Sequence, residues 1–535
     1  MDTGGAAVLR TGGSGRFVPE RVRRAPVALV IGASVVGVLA ALPVLYLFVR
    51  AFEAGGGELL ETLRRPGLLA LVLRTAALAG VVAGASVAIA FVLAVLTAAT
   101  DLPLRRLSSV VSVLPLAVPC YVGASAVVGL SGPGGVFEGM GAVHGFSAAA
   151  IVLTLFIFPL AYLPLRASIS RVDPRLIDAA RSLGESGLGA TLRVILAWSW
   201  PACVGGGVLV GLYTLGEFGA VTMLRCDTLT AVIYEQYRSS FSRTGAAVSS
   251  LLLVVLVLAL LGVGGLLRRR GKWSSARGSS RGGVTLRLGA WRWPAFALVM
   301  LIGAGPVLLV VLTLLSWLGG SGLGVERTIG GGLWAGAATS ASVAIAAGVA
   351  CVLMTAPAAV LAARYPGRVS GLVERAVSTG FALPGIVVAL GLAFFALRAT
   401  PFAYQTWAMV IAAFVVLFAA QSLMALRASL ERSPVRLEEA ARTLGRGPVG
   451  AFVGVTLPGL APGIGAAWVL VTLSAMKELP AMLLLSPAGS VSLAELVWSS
   501  TREAMFASAA APGLALIGVS AGLVWLVAMR EGLTR

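Results

Sequence analysis

A chain of 535 residues that is 58% hydrophobic and only 12% charged, with a mean hydropathy of +0.95, cannot present the polar surface that a soluble globule needs. No alternation of apolar and polar residues marks a membrane β-barrel, which leaves an all-α polytopic membrane protein. The net charge of +19 follows from basic loops beside anionic lipid and is not a nucleic-acid signal.

Apolar stretches of about 20 residues, each long enough to cross a hydrocarbon core of about 30 Å as a helix, recur along the chain. By length and hydropathy about 12 spans are predicted. In the first part they lie at roughly 26–49, 68–98, 108–130, 147–166, 195–221 and 246–267. In the second they lie at roughly 294–318, 333–363, 375–397, 406–427, 455–485 and 507–529. Gly and Pro interrupt several of the longest, which are expected to tilt, break or extend past the lipid. The first apolar run is too long for a signal peptide and has no small-residue cleavage site before the loop Arg50 to Gly55, so it reads as a retained span.

An even number of spans puts both termini on one side. Arg10, Arg16, Arg21, Arg23 and Arg24 precede the first span, and Arg268, Arg269, Arg270, Lys272, Arg277, Arg281, Arg287 and Arg292 lie in the central linker. The excess of basic residues in these segments places them, and both termini, in the cytoplasm. Arg74, near the outer start of the second span, is expected to snorkel to the surface. Of the four cysteines, Cys120, Cys203 and Cys351 fall inside apolar segments and Cys226 in an external loop. One external thiol makes an internal disulfide unexpected, and all four read as small apolar fillers.

The chain contains an internal repeat. RLIDAARSLGESGLGATLRVILAWSWP returns as RLEEAARTLGRGPVGAFVGVTLPGLAP. Without gaps Arg175 falls on Arg436, Asp178 on Glu439, Ala179 and Ala180 on Ala440 and Ala441, Arg181 on Arg442, Gly184 on Gly445, and Pro201 on Pro462. Further along the same register Glu217 meets Glu478; upstream, after a shift of about four residues, Pro119 meets Pro384 and Thr75 meets Ser340. The chain is therefore read as a cytoplasmic tail (1–25), a first six-helix half (26–267), a basic cytoplasmic linker (268–293) and a second half (294–530). Tandem halves of the same topology imply a pseudo-two-fold axis along the membrane normal.

The repeated motif falls on the cytoplasmic side, between the fourth and fifth spans of each half. Small alanines sit beside an acid and an arginine on a short helix, and the following glycine permits a sharp turn. That geometry suits docking to a soluble partner: the alanines allow close approach, and the charged groups offer oriented bonds. Asp178-Ala179-Ala180 with Gly184, and Glu439-Ala440-Ala441 with Gly445 and Val455-Thr456-Leu457-Pro458, resemble the EAA loop of binding-protein-dependent ABC import permeases. The first copy departs from the family pattern in having Asp178 for Glu and Leu196-Ala197 where Leu-Pro is expected.

The resemblance implies that Asp178, Ala179, Ala180, Arg181 and Gly184, and Glu439, Ala440, Ala441, Arg442 and Gly445, form coupling helices. These would seat two copies of a cytoplasmic ABC ATPase, with an extracytoplasmic solute-binding protein delivering the solute across a bacterial inner membrane. Among fused double permeases, Glu217-Phe218-Gly219 and Lys477-Glu478-Leu479-Pro480 look most like the ferric iron group; thiamine, polyamine and oxyanion importers are the alternatives within the family.

The only lysines, Lys272 and Lys477, do not sit in a glycine-rich phosphate loop, so ATP would be used by the partner and no cofactor is expected on this chain. No resident metal is expected, since the single His144 lies in a Gly-rich loop and no Cys/His cluster exists. Charges within spans are costly. Glu217 and Glu478, toward the external ends of the fifth and eleventh spans, either face each other across the pathway, as carboxylates for a cationic solute or as gate contacts, or bond locally with Lys477 neutralising one. A gradient-driven secondary transporter would require acids near the midplane, and a structural scaffold would not need a duplicated docking motif.

Overall fold

The computed structural model describes residues 25–53, 55–132, 143–184, 187–238, 243–270, 286–319, 332–433 and 435–530. Among the described residues, seven helices are long and apolar enough to cross a membrane: Val27–Glu53, Leu68–Ala99, Gly189–Gly216, Arg243–Arg268, Leu333–Arg364, Trp407–Arg432 and Phe452–Met476. Four further apolar segments among the described residues are helix pairs bent at a short break, each a broken span or a re-entrant loop: Arg105–Ala117 with Cys120–Ser131 by 81°, Phe146–Ile157 with Pro159–Ile169 by 43°, Gly289–Gly303 with Gly305–Gly319 by 46°, and Arg368–Ala382 with Gly385–Ala399 by 109°. Phe506–Arg530 closes the chain. Each predicted span meets one of these helices or bent pairs in order.

The two sharpest bends occupy equivalent places in the halves, and proline explains both. Pro119 and Pro384 lack the N–H that would continue the preceding helix, and both adopt extended backbone, with ψ of 137° and 140°, as the residue before a new helix. Val118 and Leu383 before them are also extended, as a residue preceding proline prefers. The equivalence of Thr75 and Ser340 also has a structural form. Thr75 Oγ1 accepts from the N–H of Leu229 at 3.0 Å, and Ser340 Oγ accepts from that of Leu493 at 2.9 Å. In each half a buried hydroxyl thereby caps the start of a short amphipathic helix, Leu229–Arg238 or Leu493–Arg502.

The halves of the sequence are not the units of packing. Val27–Glu53 lies against Leu333–Arg364, Arg368–Ala382 and Gly385–Ala399 of the second half. The crossing is tight at Gly391, where a Cβ would stand 2.5 Å from the carbonyl oxygen of Pro43. Reciprocally, Gly303 abuts the Val111 carbonyl, and Trp317 covers Gly129 of the first half. One apolar core consequently runs through both halves.

The linker's last residues are held. Leu286 N–H donates to Ala99 O at 2.7 Å, Asp101 N–H to Leu286 O at 3.1 Å, and Leu288 N–H to Asp101 Oδ1 at 2.7 Å. This ties the linker to the turn after the second span. The Gly-, Ser- and Arg-rich stretch 272–283, with Lys272, Arg277 and Arg281, and the tail arginines Arg10, Arg16, Arg21, Arg23 and Arg24, lie outside the described residues.

Candidate functional site

The repeated motifs form two short helices, Pro174–Ser182 and Val435–Thr443. Asp173 caps the first, its carboxylate accepting from Arg175 N–H at 3.0 Å, and Pro174 takes the first helical position, where no N–H is needed. Each helix ends on its glycine in left-handed backbone, Gly184 at φ +90° and Gly445 at φ +88°. The second is a full Schellman turn, with Gly445 N–H bonded to Arg442 O and Arg446 N–H to Ala441 O. Each turn raises one leucine into solvent, Leu183 at 86% exposure and Leu444 at 85%.

The charged groups are arranged differently. Asp178 pairs loosely with Arg181 at 3.9 Å, whereas Arg442 reaches Glu438 at 3.3 Å, one residue before Glu439. Ala179 and Ala440 are exposed, while Ala441 is buried. Beyond the turns, the first copy continues as one α-helix, Gly187–Gly216. The second passes through a π-helical turn, Phe452–Thr456, in which Leu457 N–H bonds back to Phe452 O. Pro458 accounts for this, because its ring would clash with the carbonyl four residues earlier and the wider turn makes room.

A cavity of about 560 Å³ lies between the halves. Part of its lining is built twice over: Pro119, Cys120 and Tyr121 with Glu217 and Gly219 from one half, and Pro384 and Gly385 with Lys477, Glu478 and Pro480 from the other. The helix breaks leave this space, and both glutamates sit in it just past the ends of Gly187–Gly216 and Leu457–Met476. The lining also includes Gln421, Ser474, Phe381 and the exposed Met424.

The two carboxylates are held differently. Glu217 Oε1 accepts from Ala220 N–H at 3.0 Å, capping its own short helix. Glu478 projects across the break, where a Cβ on Gly385 would lie 2.2 Å from its Oε1. Lys477 lies within electrostatic reach of Glu478, and Glu478 of Glu217. The hydroxyl of Tyr121 is buried beside them without a hydrogen-bond partner.

Next to Glu217, Phe218 joins a cluster of rings drawn from both halves. Phe218 lies 4.9 Å from Tyr234 and 5.0 Å from Trp498 between ring centroids, and all three are buried.

The sequence repeat pairs the two motif turns and pairs Glu217 with Glu478; the structure gives the two turns matching backbone and places both glutamates along one cavity, each held in its own way. The sequence reading missed the ring cluster and the lining by Cys120 and Tyr121. The prolines at 119 and 384 were the available signal for the latter, since a broken span exposes the residues that follow the break. Cys226 is buried, as are the other three thiols, and all four are free. Arg74 pairs with Asp227 at 3.1 Å.

A family model for the binding-protein-dependent transport system inner membrane component matches residues 80–273 and 355–531. The chain is 30% identical over 514 residues to the Fe(3+)-transport system permease protein FbpB 2 of Haemophilus influenzae, covering 94% of this chain and 98% of the relative. It is 26% identical over 234 residues to a probable sulfate transport system permease protein cysT of Helicosporidium, covering 41% of this chain and 86% of the relative. To the spermidine/putrescine permease PotB of Escherichia coli it is 33% identical over 122 residues, 22% of this chain and 43% of the relative. The matched stretches begin inside the helices Leu68–Ala99 and Leu333–Arg364, so the exchanged first spans stand outside them. With the domain present twice, the chain belongs to the binding-protein-dependent ABC import permeases, multi-pass inner-membrane proteins that work with an ATPase and a solute-binding protein.

Proposed function

We propose that this chain forms the translocation pathway of a ferric iron importer. The cavity between the halves carries the reading: two glutamates from equivalent positions and one lysine line it, and acidic oxygen donors from both halves suit a cation better than an oxyanion. End-to-end similarity to a ferric iron permease, against single-half similarity to the sulfate and polyamine relatives, supports the same cargo. The iron arrives on the binding protein and passes in transit.

In this reading both termini and the motif turns are cytoplasmic, and one ATPase copy seats on each turn. Asp178, Ala179, Ala180, Arg181 and Gly184 form one contact, and Glu439, Ala440, Ala441, Arg442 and Gly445 the other. The exposed Leu183 and Leu444 fill apolar recesses of the partner. Closure of the ATPase pair presses on the turns and rocks the halves, so that a cavity open toward the cytoplasm becomes open to the outside. ATP is bound and hydrolysed by the partner, while this chain carries no nucleotide site.

The test is uptake by proteoliposomes containing the chain, its ATPase and its binding protein. ATP-dependent accumulation of radiolabelled ferric ion, undiminished by excess spermidine, thiamine, sulfate or molybdate, is expected. Accumulation of one of those solutes in place of iron would refute the cargo. A cysteine at Ser275 should resist impermeant reagent applied outside intact cells, and ready labelling there would reverse the topology.

A further inference from the structure

The repeat includes a stretch just ahead of the motifs, and there the halves differ in charge. Leu165-Arg166-Ala167-Ser168 returns as Leu426-Arg427-Ala428-Ser429 in the register that pairs the motif turns. In the second half Arg427 is neutralised twice. Its Nε donates to Glu431 Oε1 at 2.8 Å, one turn along the same helix, and its Nη1 pairs with Glu374 Oε1 on the limb Arg368–Ala382. Both acids are serines in the first half. Ser170 stands where Glu431 does, and Ser109, in the register of Pro119 and Pro384, stands where Glu374 does. Each serine spends its proton on a helix carbonyl: Ser109 Oγ donates to Arg105 O at 2.8 Å and Ser170 Oγ to Ala167 O at 3.0 Å.

The first half also gains a cation, for Arg105 stands where the second half has Ser370. Its Nε donates to Thr97 O at 2.6 Å and its Nη2 to Ala98 O, at the end of Leu68–Ala99. Thr97 Oγ1 bonds in turn to the Tyr162 hydroxyl at 2.9 Å, and Arg166 lies one turn beyond Tyr162 on Pro159–Ile169. The two guanidinium groups are within electrostatic reach of each other and of Tyr162. Arg166 Nε is buried without a hydrogen-bond partner among the described residues, and the linker stretch 271–285 contains no acid that could supply one. One copy of the site thus holds a cation and two carboxylates, while the other holds two cations and no carboxylate. Neighbouring like charges repel, and a buried donor left unmade is costly. A phosphate group answers both, because its oxygens accept from two guanidinium forks at once.

The border of the site says where the phosphate comes from. Leu104 and Leu107, on either side of Arg105, are exposed, and so are Trp291 and Trp293 on the segment that Leu286 and Leu288 fasten to Ala99 and Asp101. Exposed leucines and indoles around basic groups belong in the headgroup layer of a membrane.

We propose that Arg105 and Arg166 bind the phosphate of an anionic phospholipid, which takes the place that Glu374 and Glu431 hold in the second half. The headgroup ties the limb Arg105–Ala117 to Pro159–Ile169, as the salt bridge of Arg427 ties Arg368–Ala382 to Trp407–Arg432. Only the choice of leaflet, the cytoplasmic one, rests on the orientation given under the proposed function; the cargo does not enter.

The probe is phosphatidylglycerol, titrated against phosphatidylcholine onto the detergent-purified chain with its ATPase and followed by native mass spectrometry. Wild type should take phosphatidylglycerol as its first bound lipid, and R105Q/R166Q should bind it about thirtyfold more weakly, as for two basic groups at a headgroup. R106Q/R171Q removes two exposed arginines that lie outside the pair and should lose less than about threefold. S170E supplies the carboxylate that Arg427 has in Glu431; it should weaken phosphatidylglycerol binding about fivefold and raise the melting temperature in phosphatidylcholine. Ser170 is exposed, so S170E decides the matter if R105Q/R166Q, which also uncaps a helix end, does not fold.

Unchanged binding in S170E, or in folded R105Q/R166Q, overturns the proposal. An equal loss in R106Q/R171Q overturns it in favour of diffuse attraction between lipid and basic loops. Inorganic phosphate that stabilises the wild type as much as phosphatidylglycerol does overturns the lipid source in favour of a free anion.

Discussion

The two motif turns and the two central glutamates are products of one duplication, yet they have drifted by different amounts. The turns agree in φ to within two degrees and expose the same leucine to the same extent. The glutamates share a position but not a setting, since Glu217 caps its own helix while Glu478 lies against Gly385 of a neighbouring helix, beside Lys477. Under the proposed function the turns meet identical copies of a partner, which would hold the two surfaces to one shape. A site on the axis is shared, and one working arrangement suffices for it.

The sharpest way to break this comparison is to strain the turns. No atom lies within 4 Å of a Cβ built on Gly184 or Gly445, so substitution acts through the backbone alone. A β-branched residue held at positive φ costs roughly 1–3 kcal/mol, and relaxing that strain moves the exposed leucine. Gly184→Val and Gly445→Val should each lower coupled ATP hydrolysis more than tenfold with membrane insertion intact, whereas Gly445→Asn, which tolerates the left-handed region, should keep most of it. Equal losses in the two valine variants are expected of equivalent turns. A loss confined to one would show that the partners do not seat alike.

The next effect separates the glutamates. Glu478→Gln removes a charge from the cavity, and iron transport should fall about tenfold with thermal stability unchanged, the size of an interior electrostatic contact of about 1.4 kcal/mol. Gly385→Ala should mimic it, because the new methyl occupies the position of Glu478 Oε1. Glu217→Ala should instead lower the melting temperature, since it deletes a cap worth about 1 kcal/mol. If Glu217→Ala leaves stability untouched and abolishes transport, the assigned division of labour is wrong.

Residue types explain what could and could not be seen in the sequence. Spans, repeat and turn glycines are written in composition and spacing, which act locally: an apolar run of about 20 residues has few structures open to it in lipid, and Gly184 and Gly445 mark a conformation that other residues avoid. Pro119 and Pro384 announced their equivalence, though the 81° and 109° bends they produce needed the packing around them. The exchange of the first spans was hidden, because Val27–Glu53 is apolar on every side and nothing in it names the surface it covers. The ring cluster was hidden for a related reason. Phe218, Tyr234 and Trp498 are scattered along the chain and become one feature only when the two halves face each other.

Charge reversal on the motif helices should have a smaller effect than straining the turns. Asp178 is largely exposed and its pairing with Arg181 spans 3.9 Å, so Asp178→Lys should weaken ATPase pull-down by about three- to fivefold, as for the loss of a partly screened contact. Glu439→Lys puts a cation beside Arg442, which already pairs with Glu438, and should cost somewhat more. Normal assembly and coupled transport in Glu439→Lys together with Gly445→Val would remove the coupling assignment altogether.

The smallest effect is expected where the copies differ most visibly in backbone. The π-helical turn Phe452–Thr456 lies immediately ahead of Pro458, and Ala197 stands in the corresponding place of an unbroken helix. If the proline alone causes the wider turn, Pro458→Ala should let the second copy return to α-helix, shifting the segment Val435–Thr443 by the slack of one residue at most. The substitution restores a backbone N–H, and the cost of the proline disappears. Transport should change less than about twofold while melting temperature holds or rises, because removing a helix-breaking ring offsets the loss of a fitted turn. The reverse change, Ala197→Pro, must create the wider turn in a helix packed without one, so its penalty should approach about 3 kcal/mol. Equal and mild effects from both substitutions would mean that either turn can be accommodated behind a fixed glycine corner, and that Leu-Pro in the second copy is dispensable. A large transport defect from Pro458→Ala with unchanged stability would instead assign the π turn a part in transmitting motion from the turn to the cavity, and the halves would then differ in how they respond to the partner as well as in how they hold their glutamates.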